Sequence, residues 1–375
     1  MRAGYRLSVS PEEGDEFKLV WSDHFSDLQP YCVSGALVTK ASEEIRGVLN
    51  ALSKHYRECE VTGAKPDYSP FYPDLARAGA HLSEALLNRS SGEQGSADEA
   101  RSLISSIEGQ IPLTIVISGT PLHVPWSFAF RGDLDSLPPT SGTLGDFKDF
   151  WTNVFDINIS YSRTTLLKAA HSKDAAPFVL HALHEEHFSN ARALLTDAER
   201  AVVDQLLTLR IGNTTDWDTC RRKWRKSDDA DSIIYIFGHS DGQNIFLSED
   251  NDPKYILDAN GFRLTFRKPA GAKSNTICFI NGCRTCAGLL GSSFIAATAS
   301  QGFFGFIGSE AEVSNLFAAR YGADFMKKLC VDRLSVQDAF AAIRERQDLF
   351  PLSLLYSCYA QPDFRLAAPL EGAAA

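Results

Sequence analysis

SIIYIFGHSDG (residues 232–242) and TICFINGCRTC (residues 276–286) each join a short apolar run to a polar turn that contains glycine. In both runs the apolar residues follow one another without alternation, which is typical of strands buried on both faces in a parallel sheet covered by helices. In open sheets of this kind, functional side chains gather at the carboxyl ends of the strands. We therefore expect any catalytic or binding site to involve these two polar turns.

Four more apolar runs predict further strands, and stretches with helical periodicity predict helices. The strands are predicted at residues 113–118 (LTIVIS), 157–162 (INISYS), 178–183 (FVLHAL) and 303–308 (FFGFIG). The helices are predicted at residues 189–206, 288–300, 314–329 and 336–347. The last helix is expected to begin at Ser335, with Asp338 three residues on as a variant of the capping box. The predicted fold class is α/β, with a mostly parallel central sheet flanked by helices.

The chain is predicted to divide into three regions. Apolar residues at helical spacing in 42–58 and 73–88, after one early hairpin, predict a mainly helical N-terminal region at 1–108. The α/β domain is predicted at 109–366. The tail at 367–375 is predicted to be disordered or in part an expression remnant, because its composition is weak.

Composition and charge exclude several classes of function. The 375 residues carry 37 Lys+Arg against 47 Asp+Glu, a net charge of −10, and general nucleic-acid binding needs a cationic surface. The basic cluster at 220–226 is followed at once by DDAD at 228–231 and is interpreted as a solvated helix face. Eight scattered cysteines, a charged N-terminal segment and no apolar run of membrane-spanning length predict a cytoplasmic protein that binds no membrane.

Three chemistries compete for the polar turns. GHSDG at 238–242 satisfies the G-x-S-x-G motif of serine hydrolases, which needs a histidine base later in the chain. All nine histidines precede Ser240, so this reading is the weakest. Cys283 and Cys286 form a C-x-x-C pair after a strand, as in thiol redox proteins. A structural zinc site would need a second such pair, which the other cysteines do not supply, so no metal and no cofactor are predicted.

The third chemistry pairs His239 with Cys283 as a catalytic dyad. A cysteine needs no strong base at the instant of attack, provided that a nearby imidazolium or a helix N-terminus lowers the pKa of its thiol. Cys283 is expected at the start of a helix and His239 at the end of the preceding strong strand. Each residue alone is more often structural, as a small buried thiol and a loop histidine. Their joint position at two strand ends favours the dyad.

These residues resemble the CHAT family of caspase-like cysteine peptidases, in the clan that also holds caspases, separases and gingipains. The family pattern is a strand ending in His-Gly, a strand ending in a motif like Ala-Cys-Arg-Thr, then a helix and a glycine-rich strand. The chain reads IFGHSDG, FINGCRTCAG and ATASQGFFGFIGSE in that order. Weaker likeness lies in ISGTPLHVPWSFAF at 117–130 and PLSLLYSCYAQPDFRL at 351–366. The similarity covers about residues 110–366 and implies a caspase-like peptidase domain at 109–366.

The resemblance implies a role for each matching residue. Cys283 would be the nucleophile and His239 the acid/base, with the backbone N–H groups of Cys283 and Ser240 as the oxyanion hole. Ser240 replaces the usual glycine, so Asp241 and Gly242 also remain candidates for the second donor.

The segment beside the specificity pocket departs from the family pattern. Relatives have a Ser-Leu-Trp-x-Val-x-Asp-like stretch there, whereas this chain reads SEAEVSN at 309–315, with Asn315 in place of the acid. A basic specificity is therefore not inherited directly. Glu310 or Glu312 would supply a carboxylate for Arg or Lys, unless both are surface residues. Asp241, Glu310, Glu312 and Asn315 are the predicted substrate-binding residues.

The predicted function is a cytoplasmic cysteine endopeptidase that cleaves a specific protein substrate. Family membership would imply bacterial defence or regulated cell death, with an activating or regulatory protein partner. The alternatives are a caspase-like interaction module that has lost turnover and, less favoured, a C-x-x-C redox protein.

Overall fold

The chain forms two compact units. The structure, a computed structural model, describes residues 4–23, 26–88, 96–119, 123–141, 143–161, 178–208, 211–226, 232–267, 275–287 and 293–366. The first unit comprises Met1–Ser162 with Phe350–Leu354, and the second comprises Arg163–Leu349 with Leu355–Ala375. The sequence-based boundary at 108/109 falls inside the first unit. The predicted tail at 367–375 lies outside the described residues.

The first unit is built on a five-stranded mixed sheet. Its elements are β1 (Tyr5–Pro11), β2 (Glu16–Ser22), β3 (Tyr31–Ser34), α1 (Gly35–Thr62), α2 (Tyr72–Leu87), α3 (Ser96–Ser106), β4 (Ile111–Ile117), α4 (Trp151–Val154) and β5 (Phe155–Tyr161), with single 3-10 turns at Ser69–Phe71, Trp126–Phe128, Leu134–Ser136 and Leu144–Phe147. The strand order is β3-β2-β1-β4-β5. The pairs β1/β2 and β2/β3 are antiparallel, whereas β1/β4 and β4/β5 are parallel.

This sheet corrects one expectation about strand pairing. The runs predicted at 113–118 and 157–162 do form strands, β4 and β5, but they pair with the N-terminal strands rather than with the sheet that contains residues 232–237. An apolar run specifies burial and not its partner, so β1 can extend the antiparallel hairpin into a mixed sheet.

The helix predicted at 42–58 is longer than its apolar periodicity indicated. Helix α1 starts after Ser34, whose side chain accepts a hydrogen bond from the Leu37 N–H at 3.4 Å. It ends at Thr62 and is capped by Gly63, which has a left-handed φ of 69° that glycine adopts without strain. The helix predicted at 73–88 is α2, at Tyr72–Leu87.

The second unit is built on a six-stranded sheet. Its elements are β6 (Phe178–Leu183), α5 (Glu185–Leu194), α6 (Asp197–Thr208), β7 (Ile211–Thr214), α7 (Trp217–Lys226), β8 (Ser232–Phe237), β9 (His239–Ser240), β10 (Asn244–Phe246), β11 (Ile256–Asp258), α8 (Ala259–Thr265), β12 (Thr276–Asn281), α9 (Phe294–Ser300), β13 (Gly305–Ser309), α10 (Asn315–Cys330), α11 (Val336–Arg344) and β14 (Tyr356–Ala360), with a 3-10 turn at Pro253–Tyr255. A further 3-10 turn, Leu352–Leu355, lies where the chain passes from the first unit back to the second. The strand order is β14-β13-β12-β8-β6-β7, and all pairs are parallel except β13/β14. Strands β11, β10 and β9 form a separate antiparallel sheet.

The predicted α/β class with a mostly parallel, helix-flanked sheet is confirmed in this unit. Every residue of β8 and of β12 is buried, as their continuous apolarity indicated. These two strands are neighbours near the middle of the sheet, so their carboxyl ends meet at one edge.

The helix predicted at 189–206 is in fact two helices, α5 and α6. The break falls at Thr196, whose N–H donates to the Glu199 carboxylate at 2.8 Å, while the Glu199 N–H donates to the Thr196 hydroxyl at 3.3 Å. This reciprocal capping box starts α6, and its Thr-x-x-Glu spacing was readable in the sequence. The predicted start of α11 is confirmed, because the Asp338 N–H donates to the Ser335 hydroxyl at 3.1 Å.

The basic cluster at 220–226 lies on α7. The buried face of this helix consists of Trp217, Cys220 and Trp224, and the Trp224 Nε1–H donates to the Phe266 carbonyl at 2.8 Å. The acidic run at 228–231 lies outside the described residues. Among the helices that the structure describes, none combines the length and apolar character needed to cross a bilayer.

Candidate functional site

Strand register brings the two polar turns together. Strands β8 and β12 pair in parallel with Phe237 opposite Asn281, so His239 and Cys283 each lie two residues beyond the same pair. The Gly238 N–H donates to the Asn281 carbonyl at 3.4 Å. A Cβ on Gly282 would lie 2.7 Å from the Gly238 carbonyl oxygen, so the two backbones approach each other more closely than a side chain at position 282 permits.

His239 lies at the edge of a small sheet. It is exposed, and in the β9/β10 ladder it is the partner of Phe246, whose ring centroid lies 5.7 Å from that of the imidazole. The His187 ring meets it nearly edge-on, with centroids 6.5 Å apart. The hairpin therefore holds the His239 backbone in extended geometry while one side of the ring stays accessible.

Cys283 is half-buried, and its sulfur contacts the backbone of Val313. The Val313 N–H donates to Sγ at 3.5 Å, and the thiol donates to the Val313 carbonyl at 3.5 Å. The next residue, Arg284, has a left-handed φ of 55°, which is uncommon for a residue other than glycine. The Arg284 N–H donates to the Ala311 carbonyl at 3.0 Å. The segment after β13 thus fixes the cysteine turn.

The expected helix at Cys283 does not form. Residues 283–286 are a turn, and the next helix among the described residues, α9, begins at Phe294. The left-handed Arg284 and the Cys286 N–H, which donates to the Ser309 carbonyl at 2.8 Å, tie the turn to β13 instead. A helix N-terminus directly at Cys283 is therefore not the source of any activation of its thiol.

Two hydroxyls buttress this turn. The Thr285 hydroxyl donates to the Ile280 carbonyl at 3.1 Å and accepts from the Ser309 N–H at 2.9 Å. The Ser309 hydroxyl donates to the Gly282 carbonyl at 2.5 Å. Both side chains are fully buried, so the backbone on either side of Cys283 is held by hydrogen bonds shielded from water.

A buried amide anchors the end of β12. The Asn281 Nδ2 group donates to the Tyr235 hydroxyl at 2.9 Å and to the Ala318 carbonyl at 2.7 Å, and Oδ1 accepts from the Tyr356 hydroxyl. Burial raises the pKa of both tyrosines, so their hydroxyls remain protonated donors or acceptors. This network was not predicted from the sequence. Its signal is a lone amide that ends a continuous apolar run just before Gly282.

The predicted oxyanion donors are distinguished by the turn after β9. The Asp241 N–H donates to the Asn244 carbonyl at 3.3 Å, and the Gly242 N–H donates to the Ser240 hydroxyl at 3.1 Å. These two amides are thus engaged inside the turn, and the Ser240 and Cys283 N–H groups stay a prediction as oxyanion donors. The buried Ser240 hydroxyl lies on a strand that turns into another strand, a geometry unlike the strand-to-helix elbow of a serine hydrolase.

The four predicted substrate-binding residues do not share one environment. The Asp241 carboxylate accepts from the Gln243 and Asn244 N–H groups at 2.8 and 2.6 Å. Partial burial opposes ionisation, but these hydrogen bonds outweigh it and lower the pKa of Asp241. Asp241, Glu312 and Asn315 are exposed, and Asn315 is the first residue of α10.

Glu310 is not a surface residue. It is fully buried, and its carboxylate accepts from the Ser357 hydroxyl at 2.6 Å and from the Tyr359 hydroxyl at 3.4 Å, both on β14. The reading of Glu310 as a surface glutamate is therefore wrong. Its carboxylate is engaged with β14 rather than left open to solvent.

The C-x-x-C pair is asymmetric. Cys283 is half-buried and Cys286 is fully buried, and both are free thiols in the structure. Thiol–disulfide exchange begins at an accessible sulfur, so in a redox pair Cys283 would be the attacking residue and the buried Cys286 the resolving one.

Sequence reasoning missed a cluster of two histidines and a glutamate. His184 and His187 lie at the start of α5 with their rings stacked at 3.9 Å, and the Glu249 carboxylate lies beyond β10. One Glu249 oxygen lies 3.0 Å from His187 Nε2 and 3.5 Å from His184 Nε2. Burial, and then the neighbouring His187, lowers the pKa of His184. The His-x-x-His spacing after β6 was a readable signal, but the distant Glu249 was not. Within the described residues this is the group of side chains suited to hold a metal ion.

Comparison with solved structures shows a caspase-like α/β fold. The crystal structure of the Saccharomyces cerevisiae separase–securin complex at 2.6 Å resolution aligns over 96% of this chain with a TM-score of 0.51 and 10% identity. The same complex at 3.0 Å resolution aligns over 96% of this chain with a TM-score of 0.50 and 9% identity. The aligned part is 30% of the separase chain in both cases, so this chain spans less than a third of that protein.

A third solved structure, of a protease, aligns over 69% of this chain and 66% of its own, with a TM-score of 0.42 and 8% identity. No protein-family model matches the chain, and no curated protein matches its sequence.

Proposed function

We propose that the chain is a cysteine endopeptidase of the CHAT type, with Cys283 as the nucleophile and His239 as the acid/base. The observation that carries the proposal is the β8/β12 register, which sets both residues two positions beyond one strand pair. The likeness to the fold of separase, a caspase-like cysteine protease, agrees with it.

The proposed reaction has two steps. The Cys283 sulfur attacks the substrate carbonyl carbon, and His239, which carries the proton, gives it to the leaving amine as the C–N bond breaks. A water molecule then attacks the thioester, His239 takes one of its protons, and the returning proton restores the thiol. In both steps the Ser240 and Cys283 N–H groups would hold the oxyanion, and loss of one such donor typically costs about 10²–10³ in turnover.

The contacts of the Cys283 sulfur indicate how its thiolate would be stabilised. A thiolate can only accept hydrogen bonds, so deprotonation would break the contact to the Val313 carbonyl and strengthen the one from the Val313 N–H. The exposed His239 imidazole, once protonated, would add a positive charge at the same sheet edge. We therefore assign the thiolate's stabilisation to Val313 and His239 rather than to a helix dipole.

The substrate is proposed to be a specific protein, in bacterial defence or regulated cell death. Asp241, Glu312 and Asn315 are exposed and remain proposed substrate contacts, whereas Glu310 would act through the β14 hydroxyls it binds. Separase was solved with securin, and we propose by analogy that a protein partner activates or regulates this chain.

The test is to compare reactivity among the eight cysteines of the full chain. A peptidyl electrophile is added, and labelling rates are resolved by mass spectrometry of the peptides. Cys283 is expected to react at least about tenfold faster than Cys32, which is also half-buried but lies in the first unit. His239→Ala is expected to reduce the Cys283 rate and leave the Cys32 rate unchanged.

Cleavage of co-encoded host proteins is then compared between wild type and Cys283→Ala. Loss of cleavage with an unchanged circular dichroism spectrum supports the peptidase. Equal labelling at Cys283 and Cys32 in a folded chain favours the interaction module, and loss of activity in Cys286→Ser with normal Cys283 labelling favours the redox protein.

A further inference from the structure

The His184, His187 and Glu249 cluster has the donor set and the spacing of a transition-metal site. One ligand atom from each residue lies within 4.8 Å of the other two. Ligands at 2.0–2.1 Å from a tetrahedral zinc ion lie about 3.3 Å from one another. The separations of 3.5 and 3.0 Å from the Glu249 oxygen to the two Nε2 atoms fall on either side of this value. The two rings are stacked in parallel at 3.9 Å, and a metal ion binds an imidazole nitrogen in the plane of its ring, so one ring must rotate before the three atoms can bind one ion.

A second observation points to a ligand at this place. The His184 side chain is only 2% exposed, and its buried Nε2 atom makes no hydrogen bond among the residues that the structure describes; the Glu249 oxygen 3.5 Å away lies near it without hydrogen-bond geometry. A buried polar atom without a partner costs free energy, and a bound water or ion is one arrangement that satisfies it. The Glu249 side chain is 67% exposed and forms the open side, through which an ion would enter.

We propose that His184, His187 and Glu249 bind a divalent transition-metal ion of the zinc class. Two imidazoles and one carboxylate make a borderline donor set that suits zinc better than calcium or magnesium, which prefer oxygen ligands. Three protein ligands leave a fourth position open. The site does not depend on the proposed peptidase activity.

Metal binding at His184 would remove one hydrogen bond at the start of α5. The His184 Nδ1 atom accepts a hydrogen bond from the His187 N–H at 3.4 Å and so caps α5. A neutral ring that binds metal through Nε2 carries its proton on Nδ1, which then cannot accept this bond. The cap is long and therefore weak, so coordination exchanges a poor hydrogen bond for a metal bond.

The ion would link two elements that lie far apart in the sequence. His184 and His187 belong to the start of α5, whereas Glu249 follows β10, the strand that pairs with His239. Metal binding would therefore fasten the His239 hairpin to the end of β6. Removal of the ion is expected to loosen this hairpin, and stability should rise with zinc concentration by mass action.

The test titrates zinc into the full chain carrying Cys283→Ala, so that a cysteine–histidine pair cannot provide the binding. Affinity is measured by competition with a chromophoric chelator. One equivalent of zinc is expected to bind, and Glu249→Gln and His187→Ala are each expected to weaken it at least about tenfold. Neither substitution removes the buried His184, so both variants should fold.

His81→Ala is the matched control, because His81 and Glu44 form another histidine–glutamate pair, exposed and 2.7 Å apart. This variant is expected to bind zinc as the parent does. Cobalt(II) substitution should give visible bands of a nitrogen–oxygen site without a thiolate charge-transfer band. Zinc binding that survives unchanged in both Glu249→Gln and His187→Ala, or a cobalt spectrum with a thiolate band, would overturn the proposal. Because Cys283→Ala has no nucleophile, neither result bears on the peptidase.

Discussion

The two units both contain parallel strands, but they end them with different chemistry. In the first unit β4 passes into Ser118 and Gly119, which turns with a left-handed φ of 71°. In the second unit β8 and β12 pass into turns that carry His239 and Cys283. The described residues directly after β4 are a serine and a glycine, whereas those after β8 and β12 include a histidine and a cysteine.

The cores of the two units differ in the kind of contact that they bury. The first unit packs three buried tryptophans, with Trp151 in contact with Trp21 and Trp126 at centroid distances of 5.9 and 6.3 Å. The second unit buries a hydrogen-bonded network around Asn281 next to the cysteine turn. Apolar packing stabilises a core without the need for exact hydrogen-bond geometry. A buried polar network fixes the positions of its groups, but it destabilises the fold when some of its hydrogen bonds are not formed. The comparison therefore predicts that the first core governs stability and the second governs the position of Cys283.

The largest expected effect is in the first unit. Trp151→Ala removes a fully buried ring that also contacts Phe155 at 5.3 Å, and should lower the free energy of unfolding by about 3–5 kcal/mol. Urea unfolding followed by tryptophan fluorescence measures it. Trp151→Phe keeps most of the packing and removes an indole N–H that has no hydrogen-bond partner in the described part of the chain, so its cost should be much smaller. A loss below about 1 kcal/mol in Trp151→Ala would show that this cluster is not the core.

The next largest effect is a loss of stability in acid, because each unit contains a buried histidine. Burial lowers the pKa of His181 in β6 to about 4, and burial followed by the Arg46 charge lowers that of His123 to about 3. The unfolded chain takes up a proton near pH 6.5 whereas the folded chain does not, so acidification stabilises the unfolded state. The free energy of unfolding should fall as the pH drops from about 7 to 4, by about 3 kcal/mol through His181 alone.

His181→Leu sharpens this test, since it keeps an apolar side chain beside the Tyr235 ring and removes the titrating group. Urea unfolding at pH 7.5 and at pH 4.5 should show a smaller acid loss in the variant than in the wild type. His123→Leu should remove a separate share in the first unit. Equal acid losses in wild type and in His181→Leu would contradict the assignment.

Several strands and helix ends of the second unit could be predicted because the local sequence pattern indicates which residues are buried. Continuous apolar runs predicted β8 and β12, and Ser335 predicted the start of α11. The glycine turns after the two strands predicted where a site would lie, and that stays a prediction. Each of these signals is local. The residue, its neighbours and the element lie within a few positions of one another.

The expectations that failed depend on distant partners. Nothing inside the apolar run at 113–118 tells whether it pairs with β1 or with β8. Glu310 is buried because β14 supplies two hydroxyls, and Cys283 lies in a turn rather than a helix because Ser309 and Ala311 hold its neighbours. Glu249 joins His187 only through the hairpin that β9 and β10 form.

The smallest effect on stability is expected at Asn281, and it tests the positioning role most directly. Asn281→Leu fills similar space but leaves the hydroxyls of Tyr235 and Tyr356 and the Ala318 carbonyl without the partner that the amide provided. Each unsatisfied buried group costs about 1–3 kcal/mol, partly recovered by the hydroxyls bonding to each other. We expect a net loss of about 2 kcal/mol by urea unfolding.

The same variant should slow electrophile labelling of Cys283 while it remains folded, because Asn281 anchors the strand end two residues before the sulfur. Tyr356→Phe is the matched control, since it removes one hydrogen bond of this network and leaves the two Asn281 donors in place. It should label nearly as the wild type does. If Asn281→Leu loses stability but its Cys283 is labelled at the wild-type rate, then the polar network serves stability alone. The second core would then stabilise the protein as the first one does, without positioning Cys283.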